Sequence, residues 1–325
     1  MKDNLGRKTA LLLRRLLLPV FLGVVAWYPS HTALSQGTPW IAEPRTGSIS
    51  LSFYEQSAKE FYRGTETVKG PLEATGATLR QYTLWLHANY ALNDAIAVDL
   101  QMAWAESVVD GAVGPSGGQE RYNGLYDTNL SMTWRFLDEL VSNTPSVAAR
   151  IGVTIPGLYD TGYINSLGDG GNGIEGSLIV GKFWSVAGVS AEIGYRHRGS
   201  TMVNPDAVGA AQGEDVDIPS ELFMNFWLFV PIREWGRVGA NYRIVNATSG
   251  LDIGGAGFSP SRFPGLEEDS QLLGLQLFAS NLFGFDNVSV NLFSGWIVGG
   301  RNTAKSNVNG MGLTIGLGGG FGGGL

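Results

Sequence analysis

The sequence predicts an all-β protein, a transmembrane antiparallel up-and-down β-barrel of about twelve strands, with about ten or fourteen left open. Three observations predict this fold: an export signal at the N-terminus, segments of about ten residues with alternating polarity, and connections that alternate between short and long. A tilted strand of about ten residues crosses a bilayer, whereas a helix needs an apolar run of roughly 18. No apolar run after Ser35 approaches that length.

Residues 1–35 are predicted to be a secretory signal peptide, which leaves residues 36–325 for the barrel. Basic residues precede the apolar stretch Leu16–Trp27, and Ala33-Leu34-Ser35 places small residues where signal peptidase cuts. The stretch is too short to span a bilayer as a helix, although an N-terminal membrane anchor is the alternative interpretation. The signal predicts an exported chain, and together with the predicted barrel we expect it in the outer membrane of a Gram-negative cell.

The amino-acid composition excludes several classes of functional site and partner. Cys is absent, which excludes disulfides, zinc–thiolate sites and cysteine nucleophiles. Removing residues 1–35 leaves 17 basic and 28 acidic residues, a net charge of −11. Because phosphate binding needs a basic surface, we expect no nucleic-acid partner.

The alternation is clearest from Ile96 to Ala105, where large apolar residues hold the even positions and small or polar residues the odd ones. In a membrane barrel the apolar face contacts lipid and the other face lines the interior. The predicted strands lie near 47–56, 78–90, 95–106, 125–136, 146–156, 174–184, 188–198, 219–230, 237–247, 270–281, 287–298 and 309–325.

Aromatic residues fall near the strand ends, where amphipathic rings prefer the headgroup level. The predicted girdle residues are Tyr90, Trp104, Tyr126, Trp134, Phe136, Tyr195 and Trp296. Ordinary enrichment of aromatics in strands is the alternative.

The chain keeps its alternation from Met311 to Leu325, its last residue. Barrel-assembly machinery reads a terminal strand of this kind, so we expect it as a partner during insertion. Outer-membrane lipids and lipopolysaccharide are the expected surroundings. A flexible glycine tail from Gly318 is the alternative.

Residues 121–198 carry a series of motifs: Tyr-Asp at 126–127, Arg-Phe at 135–136, Ile-Pro-Gly at 155–157 and Gly-Asp-Gly at 168–170. With these motifs the stretch resembles outer-membrane proteins described as transporters of the phenol meta-degradation pathway, distant relatives of the long-chain fatty-acid channel. It departs from them in having Tyr where Gly is usual, and in lacking the Thr of a Pro-Thr-Gly motif. The resemblance implies passive uptake of small, often hydrophobic molecules.

Charged and aromatic residues on the inward register are the candidates for lining the lumen. These are Trp85, His87, Asp99, Asp127, Arg135, Arg150, Glu192, Arg196, Glu221, Trp227, Arg237 and Arg243. Their mixed charges suit two roles. They either brace the wall as salt-bridge networks, or they face each other across water and bias which solutes pass.

Catalysis and cofactors are not expected. Besides His31 in the signal, only His87 and His197 remain, and neither adjoins a nucleophile motif. The glycine-rich loop at 168–172 lacks the ligand spacing of a calcium loop.

The sequence thus predicts a channel or transporter for passive uptake of small solutes, hydrophobic or aromatic ones included. The alternatives are a structural or adhesive barrel that binds partners through its outer loops, and an outer-membrane lipid-modifying enzyme.

Overall fold

The computed structural model describes residues 38–68, 78–110, 121–163, 165–204, 213–232, 236–280 and 287–318. The predicted signal peptide and residues 319–325 of the last predicted strand lie outside these ranges. The strands within them are β1 Gly47–Arg63, β2 Glu66–Val68, β3 Thr78–Ala91, β4 Ile96–Asp110, β5 Arg121–Leu125, β6 Thr128–Leu137, β7 Ser146–Ile155, β8 Gly173–Trp184, β9 Ala187–Arg198, β10 Ser200–Val203, β11 Glu214–Asp217, β12 Glu221–Ile232, β13 Gly236–Ala247, β14 Asp269–Ser280, β15 Val288–Arg301 and β16 Ala304–Leu317.

Twelve of these strands form one closed antiparallel barrel, which confirms the predicted architecture. They pair in the order β1, β3, β4, β6, β7, β8, β9, β12, β13, β14, β15, β16. The wall closes where β16 pairs with β1, from Gly47 opposite Leu317 to Phe61 opposite Ala304. A closed barrel has no free strand edge, so its wall satisfies its own backbone hydrogen bonds inside a bilayer. The short strands β2, β5, β10 and β11 lie outside this ring of twelve.

The two ends of the barrel differ. At the turn end the chain reverses through short connections such as 185–186 between β8 and β9, and a one-turn helix, α1 Glu139–Ser142, lies between β6 and β7. At the loop end the connections include residues 156–172 and 248–268. Barrels of this class have short periplasmic turns and long outer loops. The described residues contain no helix with the length and apolarity needed to cross a membrane.

The connection between β15 and β16 departs from the prediction. The predicted last strands leave residues 299–308 as a loop, but β15 and β16 continue to Arg301 and from Ala304. Only Asn302 and Thr303 join them, and Asn302 adopts a left-handed conformation with φ of 50°. Asn tolerates this conformation better than most residues, which allows so tight a reversal.

The outer face of the wall is apolar. Large hydrophobic side chains on alternate positions are exposed all round the barrel, as the dyad pattern predicts for lipid-facing residues. Tyr90, Trp134 and Phe136 lie on this face near the turn end, and Tyr195 and Trp296 lie nearer the loop end. Amphipathic rings at two levels are typical of a membrane-spanning belt.

Tyr126 contradicts its predicted outward position. Trp104 lies opposite Leu125, but Gln101 lies opposite Asn129, so the chain carries one extra residue between these pairs. The resulting bulge shifts the alternation by one position. Tyr126 therefore turns inward and packs edge-on against Trp85, with 5.5 Å between ring centroids.

Candidate functional site

The barrel lumen holds a cavity of about 440 Å³ towards the loop end. Every one of the twelve barrel strands contributes an inward side chain to its lining, and residues of the connections 156–172 and 248–268 complete it. Nine charged and six amide side chains share the lining with apolar residues, and its aromatic members are Phe61, Trp85, Tyr126, Tyr163, Phe223 and Phe263. The cavity therefore offers polar and apolar surface in similar amounts, and a solute inside it would meet charges on several sides.

An ionic ladder runs up one side of the lumen and consists of Arg150, Glu175, Glu192, Arg196, Arg198 and Glu221. In its lower part, Arg150 lies 3.1 Å from Glu175 and 3.7 Å from Glu192. Glu192 also accepts hydrogen bonds from Ser177 at 2.6 Å and from Asn225 at 2.7 Å. Each of these carboxylates is buried and has charged or amide partners, as a buried ion requires.

The upper part of the ladder reaches the loop end. Arg196 bonds to Glu175 at 2.8 Å and to Glu221 at 2.9 Å. Arg198 bonds to Glu221 and to Asp169, both at 3.0 Å. The register explains this geometry, because Glu175, Arg196 and Glu221 are direct cross-strand partners on β8, β9 and β12. The ladder thus fixes the wall to the loop that contains Asp169.

Loop 156–172 folds into the lumen. Leu167 is fully buried, and its carbonyl accepts a 3.1 Å hydrogen bond from Gln81 of the wall. Tyr159 donates to Asp127 at 2.7 Å and accepts from the Gly170 amide at 3.0 Å, while its ring stacks on Tyr126. Burial, followed by the nearby Asp127 carboxylate, raises the pKa of Tyr159 above its ordinary value. The phenol therefore stays protonated and can donate to Asp127.

Glu268 brings a titratable group to the loop-end rim of the cavity. Enclosure within the barrel, followed by the neighbouring Asp169 carboxylate, raises the pKa of Glu268 to about 7. Its carboxylate accepts a 2.6 Å hydrogen bond from Thr303. Since its side chain remains accessible to lumen water, the charge at this rim changes near neutral pH.

The loop end is tied together by the reversal between β15 and β16. Arg301 lies 2.8 Å from Asp252 and 2.7 Å from Glu267. Asn302 accepts hydrogen bonds from the Gly64 amide at 2.9 Å and from the Ile253 amide at 3.2 Å. The hydrogen bond from Arg301 lowers the pKa of Asp252 to about 2, so this contact persists in mild acid.

At the turn end, the N-terminal segment (residues 38–45) enters the barrel. Trp40 donates a 2.6 Å hydrogen bond to Glu139, and its ring meets the inward Phe229 edge-on at 5.7 Å. Pro39 is buried against Gly181, where an added Cβ would lie 2.6 Å from the proline ring. The segment therefore occupies part of the turn-end mouth.

The predicted lumen residues lie at three levels along the barrel: in the cavity, below it, and at the turn end. Six line the cavity: Trp85, Asp127, Arg150, Arg196, Glu221 and Arg243. Below them, His87 lies 3.1 Å from Asp99, Glu192 lies in the ladder, and Trp227 lies over Gly239. Arg237 stacks over Phe278 with its Cζ 4.5 Å from the ring centroid.

Arg135 lies at the turn end and not along the middle of the lumen. It donates a 2.7 Å hydrogen bond to the Asp94 carbonyl and lies 2.8 Å from Asp138. The physical reason is its place in the register: Arg135 comes just before a bulge at the end of β6, next to the turns. Arg135 therefore links the turn between β3 and β4, which contains Asp94, to the turn between β6 and β7, which contains Asp138.

His197 occupies the outward register near the loop end, where its Nδ1 lies 3.1 Å from the Ser220 hydroxyl. The described residues provide no carboxylate hydrogen-bonded to the other side of this imidazole. The pair is exposed at the rim of the wall.

The closed barrel, the apolar outer belt and the polar lumen define the class of protein: this is an outer-membrane β-barrel, located in the cell outer membrane. Its fold is similar to that of the COG4313 outer membrane channel from Pseudomonas putida F1, with a TM-score of 0.67 and 10% sequence identity, over 87% of this chain and 100% of that one. At this identity the similarity concerns the fold.

Two further solved structures align with lower scores. The NanC porin has a TM-score of 0.49 at 5% identity, over 82% of this chain and 98% of its own. The translocator domain of the autotransporter NalP from Neisseria meningitidis has 0.48 at 11% identity, over 96% and 97%. No protein-family model matches the sequence, and the search of curated proteins found no match.

Proposed function

We propose that this protein is a channel for small solutes across the outer membrane. The single observation that carries the proposal is the cavity of about 440 Å³ inside a barrel of twelve strands. Cavities of this size accommodate small organic molecules. The six predicted lumen residues that line this cavity then act as the surface that selects among solutes.

The residues that line the cavity indicate which class of solute it accepts. A pure hydrocarbon entering this cavity would displace water from the ionic ladder and from amides such as Gln81 and Gln101 without replacing their hydrogen bonds, which is unfavourable. Trp85 and Tyr126 nevertheless provide a ring surface. We propose small solutes that combine a polar group with a short apolar or aromatic part. The resemblance to transporters of the phenol meta-degradation pathway supports solutes of this kind.

Swelling of proteoliposomes, which measures the entry of solutes into the vesicles, tests this proposal. Vesicles that contain the purified, folded barrel are placed in solutes of graded size and polarity, such as glycerol, arabinose, phenol and stachyose. We expect swelling with the small solutes and none with stachyose. Vesicles that contain heat-unfolded protein are the control. If folded and unfolded preparations swell alike for every membrane-impermeant solute, the channel function is wrong.

A lipid-modifying enzyme is the second candidate, and one contact favours it. His197 and Ser220 lie 3.1 Å apart on the outer rim, where a lipid ester could reach them. Release of fatty acid from phospholipid by the purified barrel, lost in Ser220→Ala, would support this activity. No release by the wild-type protein would eliminate it.

A further inference from the structure

Arg243 differs from the arginines of the ionic ladder. It points into the lumen from β13 and lines the cavity. Arg150, Arg196 and Arg198 each have carboxylate partners within ion-pair distance. Within the part of the chain that the structure describes, Arg243 makes no ion pair or hydrogen bond, and its Nε is buried without a partner.

The neighbouring carboxylates are already engaged. Glu175, Glu192 and Glu221 are bound by the three ladder arginines, by Ser177 and by Asn225. This stretch of wall therefore contains three carboxylates and four guanidinium groups. A fourth carboxylate, Asp169 of loop 156–172, binds Arg198, so Arg243 is the one among these four that lacks a protein partner among the described residues.

Asn241 adds a second donor beside Arg243. It occupies the next inward position on β13, one step towards the turn end, and only 3% of its surface is exposed. Neither its Nδ2 nor its Oδ1 has a hydrogen-bond partner among the described residues. The amide lies over Gly274, where an added Cβ would come within 2.3 Å of Oδ1. Consecutive inward positions on one strand lie about 7 Å apart, close enough for two side chains to bind one small anion.

Apolar surface adjoins these two donors. Leu272 is the cross-strand partner of Arg243 on β14, and Phe223 lies one inward position from Asn225 on β12. Both side chains are buried and both line the cavity. A ligand with a charged head and a small apolar body would contact donors and hydrocarbon at the same time.

We propose that Arg243 and Asn241 form the binding site for the carboxylate of a small organic acid in the lumen, an inference that rests on the proposed channel function. An unpaired guanidinium is costly to bury, so water hydrates it in the empty barrel. An incoming carboxylate replaces that water with charge-assisted hydrogen bonds, two of them in the bidentate geometry that guanidinium favours. The proposed solute class is thus the small monocarboxylates, with an aliphatic or aromatic body against Phe223 and Leu272.

Benzoate and its neutral isostere benzamide test the site in two assays. In proteoliposomes, after subtraction of the leak in vesicles that contain heat-unfolded protein, Arg243→Gln should lower the ratio of benzoate to benzamide flux by about tenfold or more, the effect expected from losing a charge-assisted hydrogen bond. Arg243→Lys should keep part of the preference, because Lys retains the charge and loses the bidentate geometry. Arg237→Gln is the matched control, since Arg237 faces inward on the same strand but stacks over Phe278 at the turn end.

Equilibrium binding separates this inference from the channel function. Trp227 is the cross-strand partner of Asn241 and Trp85 lines the same cavity, so the tryptophan fluorescence of the protein in detergent reports on ligand in the lumen without any transport. We expect benzoate to quench it in the wild type and not in Arg243→Gln, and benzamide to quench it in neither. Quenching by benzoate without flux of any solute would retain the site and reject the channel. If benzamide passes and the ratio of benzoate to benzamide flux is the same in wild type, Arg243→Gln and Arg237→Gln, the binding site is rejected and the channel function is retained.

Discussion

The indole nitrogen of Trp40 donates a 2.6 Å hydrogen bond to Oε1 of Glu139, a residue 99 positions further along the chain. Glu139 is buried, and its other oxygen accepts a 2.9 Å hydrogen bond from the Phe183 amide and lies 3.3 Å from Lys182. This contact holds the N-terminal segment inside the turn-end mouth. The chain therefore already lies inside the turn-end mouth before its first strand, β1, begins.

Replacing Trp40 by Ala should widen the turn-end mouth. The substitution removes the hydrogen bond and the edge contact with Phe229, so the N-terminal segment loses its anchor. We expect a larger conductance in planar bilayers and a destabilisation of about 1 kcal/mol. Trp184→Ala is the control, because Trp184 lies at the same end on the lipid face. Equal conductance of wild type and Trp40→Ala would show that the segment does not restrict the path.

Replacing Glu175 by Ala should destabilise the barrel by about 3 kcal/mol, because Arg150 and Arg196 lose a shared buried partner. Denaturant titration of tryptophan fluorescence in detergent measures the change. Glu214→Ala, which removes an exposed partner of Arg262, should cost at most about 1 kcal/mol. If both variants unfold together with the wild type, the ionic ladder does not brace the wall.

Replacing Tyr159 by Phe should loosen loop 156–172. The change leaves Asp127 without its 2.7 Å donor and the Gly170 amide without its 3.0 Å acceptor. Each lost partner costs about 1–3 kcal/mol locally, so limited proteolysis should cleave the loop faster while the barrel stays folded. Tyr90→Phe, on the lipid face, should leave the rate unchanged. Unaltered cleavage in Tyr159→Phe would contradict the proposed anchoring of the loop.

We expect the ion selectivity of the channel to change with pH because the carboxyl group of Glu268 titrates. Its pKa is raised to about 7, so the carboxyl is neutral below that pH and charged above it. Asp169, Glu221 and Arg198 are the charged groups that act on it. We expect the reversal potential in a salt gradient to become more cation-selective between pH of about 6 and 8. The shift should be absent in Glu268→Gln. A pH response that persists in this variant would assign the titration to another group.

Much of the barrel could be predicted from the sequence because its signal is local. An alternation of period two, as from Ile96 to Trp104, marks both the strand and its lipid face, and twelve such segments set the strand number. A one-residue bulge is invisible in that pattern, since Tyr126 and Asp127 continue the apparent alternation. Only the pairing with Ala103, whose carbonyl accepts from the Tyr126 amide, shows that both residues turn inward.

The candidate site was less predictable. The inward charges followed from the register, but their partners depend on contacts between distant segments, such as Arg198 with Asp169. The infolding of loop 156–172 and of the N-terminal segment also depends on tertiary contacts. An aromatic residue outside the predicted strands was the one available signal, for Trp40 as for Tyr159.

Conductance of the purified protein in planar bilayers measures whether the folded barrel conducts small solutes. Comparison of heated and unheated samples on a gel first establishes that the protein is folded. Folded protein should then produce discrete current steps, and heat-unfolded protein should produce none. A preparation that shows the mobility shift of a folded barrel and yet gives no current steps would contradict the channel function.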